Sequence, residues 1–546
     1  MKRIIYLTVV LLACFQLHGQ DKGFTKEDTL RGSITPERFW WDLTYYHLDV
    51  NVKPEEKFIS GYVAVHYKVV SSRQEMQIDL QPPLTIDKVA QDGENLTFTK
   101  KGANAYIITL KKAQKIGSKE SVAIQYSGNP IVAKNPPWQG GFQWTTDKEG
   151  NPFVATSCQG LGASAWWPCK DHMYDEPDSV LISVTVPKNL TDISNGRLRT
   201  TTENPDGTKT FHWFVHNPIN NYGVNVNIAN YVHFADTLHG EKGTLDIDFY
   251  VLPYNLEKAK EQFKQAKLML KAFEYWFGPY PFYEDGYKLV ETPYLGMEHQ
   301  SSITYGNGYQ NGYRGRDLSG TGWGLKWDFI IIHESGHEWF ANNITYKDIA
   351  DMWIHEGFTN YSESLFTEYY YGKEAATEYV VGTRKGIRND RPIIGVYNVN
   401  NSGSGDMYPK GGNMLHTIRH SINNDKLFRE ILRGLNKTFY HQTVTTQQIE
   451  NYISEKSKSN YSKVFDQYLR TTPIPTLEYY FEQNKVSYRW ANCVKGFDLS
   501  LILSNGKTRI TPTEKWHQTK LKEVQLFDPA AIEKMYYVKT ALVKKE

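Results

Sequence analysis

The feature that most restricts how this chain can fold is the run Phe329-Ile330-Ile331-Ile332 leading straight into His333-Glu334-Ser335-Gly336-His337. Such an apolar run makes the helix a buried one, and two histidines with a glutamate inside a buried helix need a polar reason to be there. Residues four apart share a helix face, so His333 and His337 can offer imidazole nitrogens to a single ion. Glu334 points beside that ion, the arrangement in which two histidines bind zinc and the glutamate acts as general base. A catalytic zinc takes three protein ligands and keeps one position for water. Glu356, with eighteen residues between it and His337, supplies the third ligand from a second helix at Trp353-Ile354-His355-Glu356-Gly357-Phe358. His355 is not counted as a ligand, because it projects about 100° away from Glu356 around that helix. Glu363, two turns further on, is expected to hydrogen-bond a zinc-bound imidazole.

Three more segments extend the pattern. Leu295-Gly296-Met297-Glu298-His299 precedes the metal helix, and Tyr408-Pro409-Lys410-Gly411 follows it. Thr156-Ser157-Cys158-Gln159 leads to Trp167-Pro168-Cys169-Lys170-Asp171. In this order the motifs resemble those of the gluzincin zinc aminopeptidases, the family of aminopeptidase N and leukotriene-A hydrolase, in a short bacterial-type three-domain form. The similarity spans roughly residues 40 to 470. It implies one Zn2+ per chain, and peptides with a free N-terminus as substrates. It further implies that Glu298 and Gln159 hold the substrate amine, that the Gly296-Met297 backbone aligns the peptide as an added strand, and that the Tyr408 hydroxyl donates to the oxyanion. Four positions depart from the family pattern: Leu295 for Gly, His299 for Asn, Glu338 for Gln and His355 for Asn. Leu295 and His299 put the local shape of the Glu298 loop in doubt but leave its carboxylate in place. A thermolysin-type endopeptidase and a catalytically inert scaffold are the competing functions. The Glu298 motif argues against the first, and the intact set His333, Glu334, His337, Glu356 and Tyr408 against the second.

The N-terminus reads as an export signal: Lys2 and Arg3 precede an apolar run from Ile4 to Ala13 that is too short to span a membrane. Leu11-Leu12-Ala13-Cys14 fits a lipoprotein box with Cys14 as lipid anchor, and cleavage after Gly19 or Gln20 fits a soluble product. Either way the expected location is extracytoplasmic: periplasmic, a cell-envelope lipoprotein, or secreted. Membrane contact is expected only through Cys14. A net charge of +2 gives no reason to expect nucleic acid as a partner. Cys158 and Cys169 are compatible either with a disulfide or with buried thiols.

At 546 residues the chain needs several cores. After the leader (1–20), alternating segments such as Tyr46, Leu48, Val50 and Val52 predict an all-β domain over 36–240. Residues 241–470 read as a mainly helical, thermolysin-like catalytic domain. It includes a helix from Phe263 to Phe277 closed by Gly278-Pro279, the metal helix near 326–343 and a second helix near 353–371. The two prolines of Thr471-Thr472-Pro473-Ile474-Pro475-Thr476 mark an extended link. Residues 471–546 suffice for a small β-sandwich-like domain, and none remain for the large helical C-terminal domain that many relatives carry. The fold class is therefore multidomain α+β.

Overall fold

In the computed structural model, which describes residues 23–521 and 524–545, an N-terminal β domain, a mainly helical catalytic domain and a small C-terminal β domain follow one another. The expected leader, with Cys14, lies outside the described residues. The polar lead holds a short helix, α1 (Lys26–Gly32), begun by a capping box in which Thr25 and Asp28 satisfy each other's backbone N–H groups.

In the N-terminal domain, the strand Trp41–Lys53 pairs antiparallel with Phe58–Val69 and parallel with Ser179–Pro187 inside an eight-stranded sheet. Tyr46, Leu48, Val50 and Val52 all face inward and are buried, as their alternation requires. A four-stranded sheet carries Pro152–Ser157, the strand that leads directly to Gln159. This domain's core takes in Val290, Tyr294 and Met297 from the next one, so the two pack as a continuous body beneath the site.

The catalytic domain rests on a five-stranded sheet. Its strands are β1 (Val232–Gly240), β2 (Gly243–Val251), β3 (Tyr287–Glu291), β4 (Gly296–Met297) and β5 (Ile303–Tyr305), in the spatial order β1-β2-β3-β5-β4. The boundary expected at 240/241 falls in the turn of the β1–β2 hairpin, whose register runs from Val232↔Val251 to Gly240↔Gly243. Strands β3 and β5 are buried at every residue, so they show no alternation for periodicity to detect. Helix α2 (Lys264–Phe277) ends at Gly278 as its pattern predicts.

Helix α3 (Phe329–Gly336) carries the metal motif and is shorter than its expected span. Asp328 caps its start, accepting from the backbone N–H of Ile330 and Ile331 at 3.0 and 3.4 Å. After His337 the chain makes a wide π turn over Glu338–Asn342, with Phe340 and Ala341 out of helical conformation. Helix α4 (Trp353–Tyr371) holds Glu356 and stops at Gly372. Helix α5 (Pro409–Ile422) begins immediately after Tyr408. The C-terminal region forms a four-stranded sheet, a two-stranded pair and a short helix, and its core residues Leu477, Trp490 and Phe497 join the catalytic core. Among the described residues no helix is long and apolar enough to cross a membrane.

Helices α4 and α5 cross at glycines. A Cβ added to Gly411 would lie 2.9 Å from Gly357 Cα, a backbone contact that cannot yield without moving one helix. We expect Gly411→Ala to destabilise the protein by about 1–3 kcal/mol and to depress activity, because the shift separates Glu356 from Tyr408. Gly23→Ala, with open space around it, should do neither. Urea titration of both variants checks this, and equal midpoints would contradict it.

Candidate metal centre and substrate cleft

His333 and His337 leave α3 with their rings 5.0 Å apart, and α4 brings Glu356 against both. Glu356 Oε2 lies 3.7 Å from His333 Nε2 and 3.4 Å from His337 Nε2. The opposite ring nitrogens are engaged. His333 Nδ1–H donates to Glu363 Oε1 at 2.7 Å, the contact expected of Glu363, and His337 Nδ1–H donates to the Phe340 carbonyl at 3.1 Å. That carbonyl faces back because the π turn rotates it out of the helical ladder. Both imidazoles therefore present Nε2 lone pairs to one point.

Glu356 Oε1 accepts from Gln159 Nε2 at 3.0 Å, whereas Oε2 is buried and has no hydrogen-bond partner. A buried carboxylate oxygen left unpaired between two imidazole nitrogens is costly unless a cation completes it. The spacings of 3.4 and 3.7 Å are close to the roughly 3.3 Å that separates ligands around a tetrahedral zinc. The residues present fit a zinc ion.

Glu363 is itself held firmly, accepting from Tyr379 OH at 2.6 Å and Asn360 Nδ2 at 3.2 Å. Electrostatics follow the same geometry. Burial alone would push the Glu356 carboxyl up, but the imidazoles of His337 and His333 outweigh it and hold it well below the usual range. Burial likewise opposes a charged His337, yet Glu356 and Glu298 raise it to about 8. Glu334 is pushed up to about 7 by burial and by the Glu298 and Glu356 carboxylates.

Glu298 follows β4 and is almost wholly buried. Its Oε1 accepts from Gln159 Nε2 at 2.7 Å and from Tyr222 OH at 3.0 Å. Burial, then the Glu356 charge, shifts its carboxyl upward. The ligand atoms of Glu298, His337 and Glu356 lie within 4.8 Å of one another, and so do those of His333, Glu334 and His337. Gln159 spends its amide N–H groups on the two carboxylates, which leaves its carbonyl oxygen as acceptor. Gly296 and Met297 form the edge strand β4, paired on one side only, with β5. The Tyr408 ring stacks near-parallel on His333 with centroids 6.0 Å apart. Burial first, then Glu356 and Glu298, raises its hydroxyl well above the ordinary phenol range, so it stays a proton donor.

Gln159, Glu298, His333, Glu334, His337, Glu356, Glu363 and Tyr408 line one cleft of about 880 Å³, together with Trp138, Lys385 and Arg391. Tyr222 and Asn342 were not singled out by sequence. Tyr222 is one of 37 tyrosines and sits in no motif, whereas Asn342, which donates to the Glu298 carbonyl at 2.9 Å, lies close behind His337 and could have been suspected. Lys410, the motif partner of Tyr408, turns away and donates to the Thr471 carbonyl. His355 accepts from the Tyr346 N–H. Cys158 and Cys169 are buried free thiols.

A buried pair of histidines, a carboxylate facing both and a neighbouring acid make up a candidate metal centre on a pair of helices. Residues 43–222 match the peptidase M1 N-terminal domain and residues 261–468 the peptidase family M1 domain. The chain belongs to peptidase family M1. It is 22% identical to leukotriene A-4 hydrolase of Xenopus laevis, over 77% of this chain and 68% of that one. It is 22% identical to leucine aminopeptidase 2 of Vanderwaltozyma polyspora, over 74% and 57% respectively. An M1 zinc metallopeptidase of Deinococcus radiodurans, solved with Tyr-Ser-Ala, superposes with a TM-score of 0.67 at 21% identity, over 80% of this chain and 96% of that one. The chain thus spans between about half and two thirds of the length of these curated relatives.

Replacing Glu363 by Ala frees the His333 ring, and the zinc affinity should fall about 10–100-fold. Competition with a chromophoric chelator measures this, and an unchanged affinity would remove Glu363 from the centre.

Proposed function

We propose that this protein is a zinc-dependent aminopeptidase that releases residues one at a time from the free N-terminus of peptides. The observation that carries this is the position of the Glu298 carboxylate, within 4.8 Å of the ligand atoms of His337 and Glu356. In an amino acid the amine nitrogen and carbonyl carbon are only about 2.5 Å apart. A substrate whose ammonium is held by Glu298 therefore has its first carbonyl, and no later one, at the metal position. A second acceptor, the side-chain amide oxygen of Gln159, adds a hydrogen bond to the same ammonium.

His333, His337 and Glu356 are the proposed zinc ligands. When bound, the ion supplies Lewis acidity to the scissile carbonyl and acidity to the attacking water. Glu334, poised near neutrality, takes the water's proton and returns it to the departing amine. The Tyr408 hydroxyl, kept protonated, donates to the oxygen on which charge develops. The free edge of β4 can pair with the substrate backbone, so that the peptide enters as a further strand of the sheet. The aminopeptidase names of several relatives, and the tripeptide in the Deinococcus structure, agree with this chemistry. We further place the protein outside the cytoplasm, either lipid-anchored at Cys14 or released, on the strength of Lys2, Arg3 and the apolar run from Ile4 to Ala13.

Zinc-loaded protein should cleave an aminoacyl amide with a free N-terminus and leave its N-acetylated twin intact. Equal cleavage of both would make the protein an endopeptidase, and cleavage of neither would leave the inert scaffold. Glu334→Gln should lower kcat about 10²–10⁴-fold. Tyr408→Phe should lower it about 10²–10³-fold with little change in KM, and a wild-type kcat would take the tyrosine out of the reaction.

A further inference from the structure

The helix α1 lies outside the matched family domains, yet it reaches the loop that carries Gln159. Its C-terminal end is fixed from below. Arg38 is fully buried, pairs with Asp79 Oδ2 at 2.6 Å, and donates from Nη1 to the carbonyls of Leu30, Arg31 and Ser33 at 3.0, 3.1 and 2.8 Å. The Gln77 amide adds a bond to the Leu30 carbonyl at 3.2 Å. From this anchored helix end Arg31 extends across the surface, and its Nη2 donates to the Gly160 carbonyl at 2.7 Å and to that of Leu161.

Those two carbonyls form the back of a tight turn. Leu161 N–H donates to the Gln159 carbonyl, Gly162 N–H to that of Cys158, and Gly160 occupies the left-handed region at φ +71°. The front of the turn is the Gln159 amide, bonded to Glu298 and Glu356. The next residue on α1, Gly32, packs on Val399 and Asn400 so closely that an added Cβ would fall 2.1 Å from Asn400 N. Asn400 Nδ2 in turn approaches the Gly160 carbonyl at 3.5 Å.

We propose that Arg31 is a positioning residue for substrate-amine recognition, and that α1 is a clamp which holds the Gln159 turn against Glu298 and Glu356. This rests on Gln159 binding the substrate ammonium. A charge-assisted bond to a backbone carbonyl restrains the turn at the residue following the amide, so its loss lets Gln159 swing away from the two carboxylates. His333 and His337 keep their own supports from Glu363 and the Phe340 carbonyl, and Glu356 loses only its bond from Gln159 while still facing both imidazoles. The effect therefore falls on binding of the free amine and not on the chemical step.

The test uses the full chain loaded with zinc, with a free-amine aminoacyl amide as substrate. Arg31→Ala should raise KM about five- to twentyfold and leave kcat within about twofold, while Arg31→Lys, which keeps one donor, should recover most of the loss. Gly32→Ala, which forces α1 away from Asn400, should reproduce the KM effect. In a Gln159→Ala background, Arg31→Ala should change KM less than about twofold, because the side chain it positions is gone. An unchanged KM in Arg31→Ala, a fall in kcat of the same size, or multiplicative effects in the double variant would overturn the proposal. Amide hydrogen exchange at 159–162 should rise in Arg31→Ala, and unchanged exchange there would also overturn it. A wild-type protein without activity on free amines would refute the aminopeptidase reading instead, and the exchange data would still decide whether Arg31 holds the turn.

Discussion

The structure depends on one carboxylate oxygen. Glu356 Oε2 is buried, faces two imidazole nitrogens and has no hydrogen bond. Left so, the position costs free energy, because a desolvated anion is compensated only at a distance. Everything around it is arranged to keep it there. Glu363 and the Phe340 carbonyl take the outward nitrogens of the two rings, and Gln159 takes the other carboxylate oxygen. Glu298 adds a further negative group a few ångströms away. A divalent cation turns this crowding of anions from a penalty into the source of affinity, and the same cation explains why a helix as apolar as Phe329–Ile332 ends in two histidines.

The centre was largely legible in the sequence because its parts are local. Two histidines four apart, and a helix that returns with Glu356, depend on nothing beyond helical geometry. The contact between Glu363 and His333 lies where two turns of α4 place it. The length of α3 was not legible. The apolar and polar pattern continues beyond His337, but the bond from His337 Nδ1 to the Phe340 carbonyl favours a π turn over another helical turn. Sequence spacing does not report that competition.

The sheet beneath the site was hidden for a different reason. Strands β3 and β5 are buried on both faces, so their residues neither alternate nor repeat at helical spacing. Tyr222 reaches Glu298 from the far end of the N-terminal domain, and Arg31 reaches the Gln159 turn from the lead before it. Contacts between segments more than seventy residues apart leave no mark on either segment. The departures from the family motif leave the Glu298 carboxylate in place: His299 is buried, and Glu298 still meets Gln159 and Tyr222.

Two domains converge on this centre. The N-terminal sheet delivers Gln159, and the catalytic domain delivers Glu298 along an unpaired sheet edge and the proposed metal ligands from its helix pair. The chemistry of this centre depends on where the ion sits. Anomalous diffraction at the zinc edge from crystals of the zinc-loaded protein tests this most directly. A single peak about 2.0–2.1 Å from Nε2 of His333 and His337 and from a Glu356 oxygen is the predicted result. A peak bound by Glu298 in place of His333, or no peak between α3 and α4, would contradict it.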